Sequence, residues 1–170
     1  MPTIGVAIAI PEPWGADLQE LRESFGDPMA SSIPTHVTLV PPTEVADRDL
    51  DEVAEHLEAV ASSQPSFMIH LRGTGTFRPV SPVVFIAMSE GISSCEVLAG
   101  QVREGPLDQK LSFPYHPHVT IAHHVGDAAL DRAFDSLKDF ECSFVVEAFH
   151  LYMHGGDSVW RPVHTYKLSG

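Results

Sequence analysis

The sequence predicts an α+β protein of two pseudo-symmetric lobes, each a mainly antiparallel sheet with helices outside, with an active-site groove between them. Three observations lead there. Strand-like segments alternate with amphipathic helical ones; later strands come in hairpin-like pairs; and one tetrad, His-Val-Thr-aliphatic, is written twice, at 36–39 and 118–121. Antiparallel pairs with short connections and helices packed to the outside define the α+β class.

The elements follow in order. The apolar run over 3–10 reads as a buried first strand, and "PEPWG" turns it into a helix over 16–25. Leu18, Leu21 and Phe25 recur in that helix at helical spacing. The first tetrad lies in a strand over 35–40, which Pro41-Pro42 is expected to stop, because proline donates no ladder hydrogen bond. A second helix spans about 50–62, with Val53, Leu57 and Val60 on one face. Strands near 66–77 and 83–88 are joined by a proline-containing turn, and a third helix covers about 93–103. After the second tetrad strand come a helix over 128–140, a strand over 143–154, the turn "GGD" and a strand over 159–168. The order strand, helix, strand, strand thus follows both tetrads, an internal repeat of elements. Nothing resembles a linker able to separate free domains, so residues 1–170 read as one bilobal domain.

Composition narrows function. The 170 residues are 44% hydrophobic and 19% charged, a globular balance. The net charge is −13, and the ten Lys and Arg are scattered rather than gathered into a stripe. An extended nucleic-acid footprint is therefore disfavoured, whereas a small anionic ligand held by local donors is allowed. Cys95 and Cys142 form no C-x-x-C and no disulfide framework, which suggests reduced thiols and a cytoplasmic location. The N-terminal apolar run lacks a basic flank and a cleavage site, and no segment reaches the length of a membrane span.

Side chains alternate along a strand, so His36 and Thr38 share one face while Val37 and Leu39 take the other. His118 and Thr120 repeat the arrangement, with Val119 and Ile121 behind them. Two lobes facing each other would bring two imidazole–hydroxyl pairs around one phosphate-sized cleft. Imidazole titrates near neutrality, so the histidines could supply an acid and a base, and the hydroxyls could hold anionic oxygens. One such tetrad arises readily by chance in a chain with ten histidines; two, each opening the same order of elements, do not.

These tetrads resemble the signature of the two-histidine (2H) phosphoesterase superfamily, which includes the bacterial 2′-5′ RNA ligase-like proteins. The approach "FPYHPH", the segment "GTGTF" over 73–77 and "FHLYMH" near the C-terminus are similar to the family as well. The resemblance implies a bilobal α+β fold and metal-independent, cofactor-free chemistry on 2′,3′-cyclic or 2′-5′ phosphodiesters of nucleotides or RNA ends. Ligation would be the reverse reaction, run without ATP. His36 and His118 would then be general acid and base, in an order the sequence leaves open, with Thr38 and Thr120 as phosphate anchors. Many relatives carry Arg just after the second tetrad, where this chain has Ala122-His123-His124.

Other constellations are weaker. His116, His118, His123 and His124 cluster in sequence, but no H-E-x-x-H, cysteine knuckle or spaced carboxylate accompanies them, so no metal is expected. "GTGTF" lacks dinucleotide-fingerprint spacing, and there is no Walker A sequence. Phe77 and Tyr115 are candidates to stack on a base, with packing as the alternative. His150, Tyr152 and His154 would share one strand face, toward the groove or toward solvent. The expected partner is a small nucleotide or RNA end, met by a monomer with no membrane attachment. The alternatives are a phosphodiesterase for a small non-RNA cyclic phosphate, and a catalytically idle protein that binds a nucleotide or RNA end.

Overall fold

The computed structural model describes residues 1–169; Gly170, the last residue of the predicted domain, lies outside them. The described residues form eight strands and four α-helices, in the predicted order but with one strand more than predicted: β1 (Thr3–Ala9), α1 (Trp14–Ser24), β2 (His36–Glu44), α2 (Leu50–Ser63), β3 (Phe67–Thr76), β4 (Val83–Glu90), α3 (Ile92–Val102), β5 (Val119–His123), α4 (Asp127–Ser136), β6 (Glu141–Val146), β7 (Ala148–His154) and β8 (Trp160–Lys167). They form two four-stranded sheets of order β2-β1-β7-β8 and β5-β4-β3-β6, with every pairing antiparallel. The α+β class and the two-lobe architecture are as the sequence predicts.

Each tetrad strand is the edge of its sheet and pairs only with the strand that precedes it in the chain, β2 with β1 and β5 with β4. The structural repeat is therefore strand, helix, tetrad strand. The helices of the two repeats are exchanged: α1 connects β1 to β2 yet packs on β5, and α3 connects β4 to β5 yet packs on β2. That exchange gives the two sheets a common interior. Val37 and Leu39 from one tetrad and Val119 and Ile121 from the other are fully buried in the same apolar cluster. Burying each such side chain contributes about 1.5–3 kcal/mol, which fixes the register that turns His and Thr the other way.

Three elements differ from the sequence reading. Pro41 and Pro42 do not stop the first tetrad strand, which continues to Glu44. An edge strand has one unpaired side and tolerates proline there, and the β1–β2 register shifts on passing the two prolines. The segment expected as one strand over 143–154 is two, because β6 pairs with β3 in one sheet while β7 pairs with β1 and β8 in the other. The chain changes sheets at Glu147, where the parity of buried residues flips from Cys142, Phe144 and Val146 to Phe149 and Leu151. Helix α4 also ends at Ser136, four residues before its expected end. No helix among the described residues is long and apolar enough to cross a membrane.

Candidate active site

The edge strands β2 and β5 lie against each other, so the two tetrads meet where the sheets adjoin. His36 and Thr38 are half-buried on one face of β2, and His118, one residue before β5, and Thr120 are half-buried on the corresponding face of the other lobe.

Both imidazoles are held in the same way. The His36 Nδ1–H donates to the carbonyl oxygen of Pro34 at 2.7 Å, and the His118 Nδ1–H donates to the carbonyl oxygen of His116 at 2.6 Å. A carbonyl can only accept, so each bond places the neutral ring's proton on Nδ1 and leaves Nε2 unprotonated. The hydroxyls are matched too. Thr35, Thr43, Thr74 and Thr76 each donate to a backbone carbonyl, at 2.8–2.9 Å. Among the described residues the Thr38 and Thr120 hydroxyls have no such partner, which leaves them free for a ligand oxygen.

Burial sets the charge state. Desolvation is the main cause that pushes His36 down to about 4; the Pro34 carbonyl opposes it, and Arg22 and His118 add to it. His118 is lowered for the same chief reason, with the His116 carbonyl opposing and the His116 ring adding. In the free protein both rings therefore favour the neutral form. A neighbouring anion favours the protonated form of an imidazole.

The structure gives Tyr115 and Phe77 specific surroundings. The Tyr115 hydroxyl donates to the backbone carbonyl of Thr38 at 2.7 Å, tying the approach to the second tetrad onto the first. The Arg103 guanidinium lies 5.5 Å from the centre of the Tyr115 ring, and burial raises the phenol above its ordinary pKa. Phe77 stands edge-on to His118, with centroids 5.0 Å apart, and packs on Phe85 at 4.5 Å. Gly75 makes room for this: a Cβ there would lie 2.6 Å from the Phe85 ring. The aromatic cluster braces the His118 imidazole from sheet β5-β4-β3-β6.

Sequence reasoning missed a buried ion pair beneath the site. Asp27, only 4% exposed, accepts from Arg22 Nε at 2.7 Å, from the Met29 N–H at 2.8 Å and from the His123 N–H at 2.9 Å. It thereby fastens the loop after α1 to the end of the second tetrad strand. A lone Asp after the Gly26 turn carries no sequence signal for this. The β4–β5 register shifts between Thr120 and Ala122, which brings His123 to the same face as Thr120. His123 stacks on His124 at 3.8 Å, and burial lowers its pKa first of all, with the neighbouring His124 adding to the effect. Among the described residues, no three His, Cys, Asp or Glu side chains converge in a metal-ligating group.

The structure thus brings paired imidazoles and paired hydroxyls together on adjoining edge strands. The profile of the 2′-5′ RNA ligase superfamily matches residues 10–158, and the chain belongs to that superfamily. A protein of Bacillus cytotoxicus, provisionally named a phosphoesterase, is 28% identical over 150 residues, covering 87% of this chain and 86% of that protein. A Bacillus thuringiensis protein of the same provisional name has the same identity and coverage. The fold is similar to that of Escherichia coli LigT in complex with 3′-AMP, with a TM-score of 0.71, 21% identity and full coverage of both chains. It is also similar to a protein of Thermus thermophilus, with a TM-score of 0.67, 23% identity, and coverage of 100% of this chain and 99% of that one.

Proposed function

We propose that this phosphoesterase-family protein opens 2′,3′-cyclic or 2′-5′ phosphodiesters of nucleotides or RNA ends, using its two tetrad histidines as general acid and base. The observation that carries the reading is the duplicated holding of the rings: each Nδ1 is fixed by a carbonyl two residues upstream, which leaves each Nε2 unprotonated, and the threonine hydroxyl two residues on has no backbone partner among the described residues. Thr38 and Thr120 take non-bridging phosphate oxygens. His36, held neutral down to about pH 4, is the base that takes a proton from water as its oxygen attacks phosphorus. His118, protonated once the phosphate is bound, gives its proton to the departing ribose oxygen. In-line attack needs the two groups on opposite sides of phosphorus, which two facing edge strands supply. Acid and base both come from the chain, so the reaction needs no metal and no ATP. Ligation is the same in-line opening of the cyclic phosphate with a 5′-hydroxyl in place of water, the new P–O bond forming as the ring P–O bond breaks.

The nucleotide class draws support from LigT, which has been crystallised with 3′-AMP, NADP+ and ATP. A second reading, a protein that binds a nucleotide or RNA end without turnover, is favoured by one observation: both rings are depressed toward the neutral form. The test is incubation of the EDTA-treated protein with 2′,3′-cyclic AMP, a 2′-5′-linked dinucleotide and an RNA ending in a cyclic phosphate. Conversion of at least one substrate to its ring-opened or cleaved product is expected. Binding of all three without conversion selects the second reading, and activity restored only by zinc or manganese rejects the metal-independent mechanism.

A further inference from the structure

On the side of sheet β2-β1-β7-β8 away from the tetrads, an open groove runs between helix α2 and the edge strand β8. Strand pairing separates the two faces. Thr38, Ala7, His150 and Thr165 form one row across the sheet, so Thr165 shares the tetrad face. Its neighbours along β8, His164 and Tyr166, turn to the other face, opposite Leu151 and Phe149. Strands stand about 4.8 Å apart, so β8 lies roughly 14 Å from the tetrad strand across the sheet. The groove holds about 490 Å³ and is lined by Ala54, Glu55, Glu58 and Ala59 of α2 and by His164 and Tyr166 of β8. That volume is within the range of small-molecule sites.

Two features of this groove lack a partner within the chain. The first is charge. Helix α2 carries Asp51, Glu52, Glu55 and Glu58 and no Lys or Arg. Glu55 and Glu58, three apart on one helix face, repel each other, and the ion pairs among the described residues involve neither. The second is the Tyr166 hydroxyl. Tyr166 is 1% exposed, and its ring packs on Phe149 at 5.4 Å and on the exposed His164 ring at 4.4 Å. Among the described residues its oxygen is buried without a hydrogen-bond partner, whereas a buried phenol is normally paired. Burial first, and then the Glu58 charge, hold this phenol above its ordinary pKa, so it stays a neutral hydroxyl within the field of that carboxylate.

These groups specify the chemistry of the missing partner. The carboxylates can only accept hydrogen bonds and the phenol oxygen can accept one, so the partner is a positively charged donor. A metal ion is a poor match, because no three His, Cys, Asp or Glu side chains converge in a metal-ligating group among the described residues. Two carboxylates about one helical turn apart, with alanine methyls beside them, match two ammonium groups joined by a short methylene chain.

We propose that the α2–β8 groove binds a linear alkyl diamine: one ammonium bridges Glu58 and the Tyr166 oxygen, the other meets Glu55, and the methylenes lie on Ala54 and Ala59. The site goes beyond the phosphoesterase reading and does not depend on it.

The test is titration of the isotopically labelled full chain with butane-1,4-diamine in about 0.15 M salt, where dispersed surface charges are screened, followed by amide NMR shifts. Saturable shifts confined to α2 and β8 are expected. Glu58→Gln and Tyr166→Phe should each weaken binding about tenfold or more, as expected for hydrogen bonds to a charged group. Glu20→Gln, which makes the same change in net charge on α1, should leave binding unaltered. N-acetyl-lysine amide, a lysine side chain with one ammonium, should bind more weakly than the diamine. Tyr166→Phe keeps the ring and removes an unpartnered hydroxyl, so the Tm of the ligand-free variant should not fall. A fall of several degrees would show the hydroxyl paired within the chain and overturn the proposal. Unsaturable shifts spread over the acidic surface, undiminished affinity in Tyr166→Phe, or tighter binding of the lysine derivative would overturn it as well.

Discussion

Replacing Tyr115 with Phe separates two roles that one side chain could play. The substitution keeps the ring and deletes only the hydroxyl that donates to the Thr38 carbonyl at 2.7 Å. A neutral hydrogen bond contributes about 1 kcal/mol net, and a half-buried carbonyl left without its donor raises the cost toward about 2 kcal/mol. For a chain of this length 1 kcal/mol corresponds to about 2–4 °C, so Tm is expected to fall by about 2–8 °C in calorimetry. The freed backbone is that of the threonine proposed to anchor the phosphate, and small misplacements of positioning groups are costly to rate. We expect kcat on 2′,3′-cyclic AMP to fall about tenfold with KM within about twofold. If Tyr115 is instead a stacking platform for a base, Tyr115→Phe leaves Tm and kcat unchanged while Tyr115→Leu raises KM for the nucleoside substrate. That pattern would refute the tie between the tetrads.

Three further outcomes follow from the same geometry. The kcat/KM bell reports the free protein, where both imidazoles lie below 6.5, so it should rise near pH 4 and fall before pH 7; the kcat bell should sit at higher pH, because bound phosphate favours the protonated ring. These limbs belong to the pair, and coinciding kcat and kcat/KM profiles centred above pH 7 would contradict the burial argument. Asp27→Asn strands a buried Arg22 and should cost about 3–5 kcal/mol in urea unfolding, whereas Asp157→Asn, at an exposed i,i+4 pair with Arg161, should leave the midpoint unchanged. Binding of an RNA with a cyclic-phosphate end should lose affinity with salt at a log–log slope no steeper than about −2, as expected for one or two phosphate contacts in a chain with scattered cations.

The fold was legible because its signals are local. Period-2 and period-3.6 runs mark most elements, and duplication of the tetrad shows that the halves correspond. What stayed hidden depends on partners distant in sequence. Nothing in Pro41-Pro42 says that its strand is an edge that tolerates both prolines; only the sheet order does. The change of sheets at Glu147 has a local signature, the flip in apolar parity between Val146 and Phe149, but it reads as a bulge until the partners are known. At the site, alternation along each strand gives the shared faces of His36 with Thr38 and of His118 with Thr120. The imidazole pKa values were not legible, because ordinary imidazole chemistry puts a bell around pH 5–8 and the burial that lowers both rings is tertiary. Tyr115 looks like a free aromatic in sequence because its acceptor, the Thr38 carbonyl, is backbone from the other lobe.

The central claim is that both histidines carry the chemistry. It is tested most directly by single-turnover hydrolysis of 2′,3′-cyclic AMP in EDTA by His36→Ala and by His118→Ala, each checked for an unaltered Tm. General acid and base catalysis contribute about 10²–10⁴-fold each, so either substitution should slow the reaction by at least about 100-fold, and the double variant little more. A folded single variant that keeps turnover within a few-fold of the unaltered protein would contradict the account.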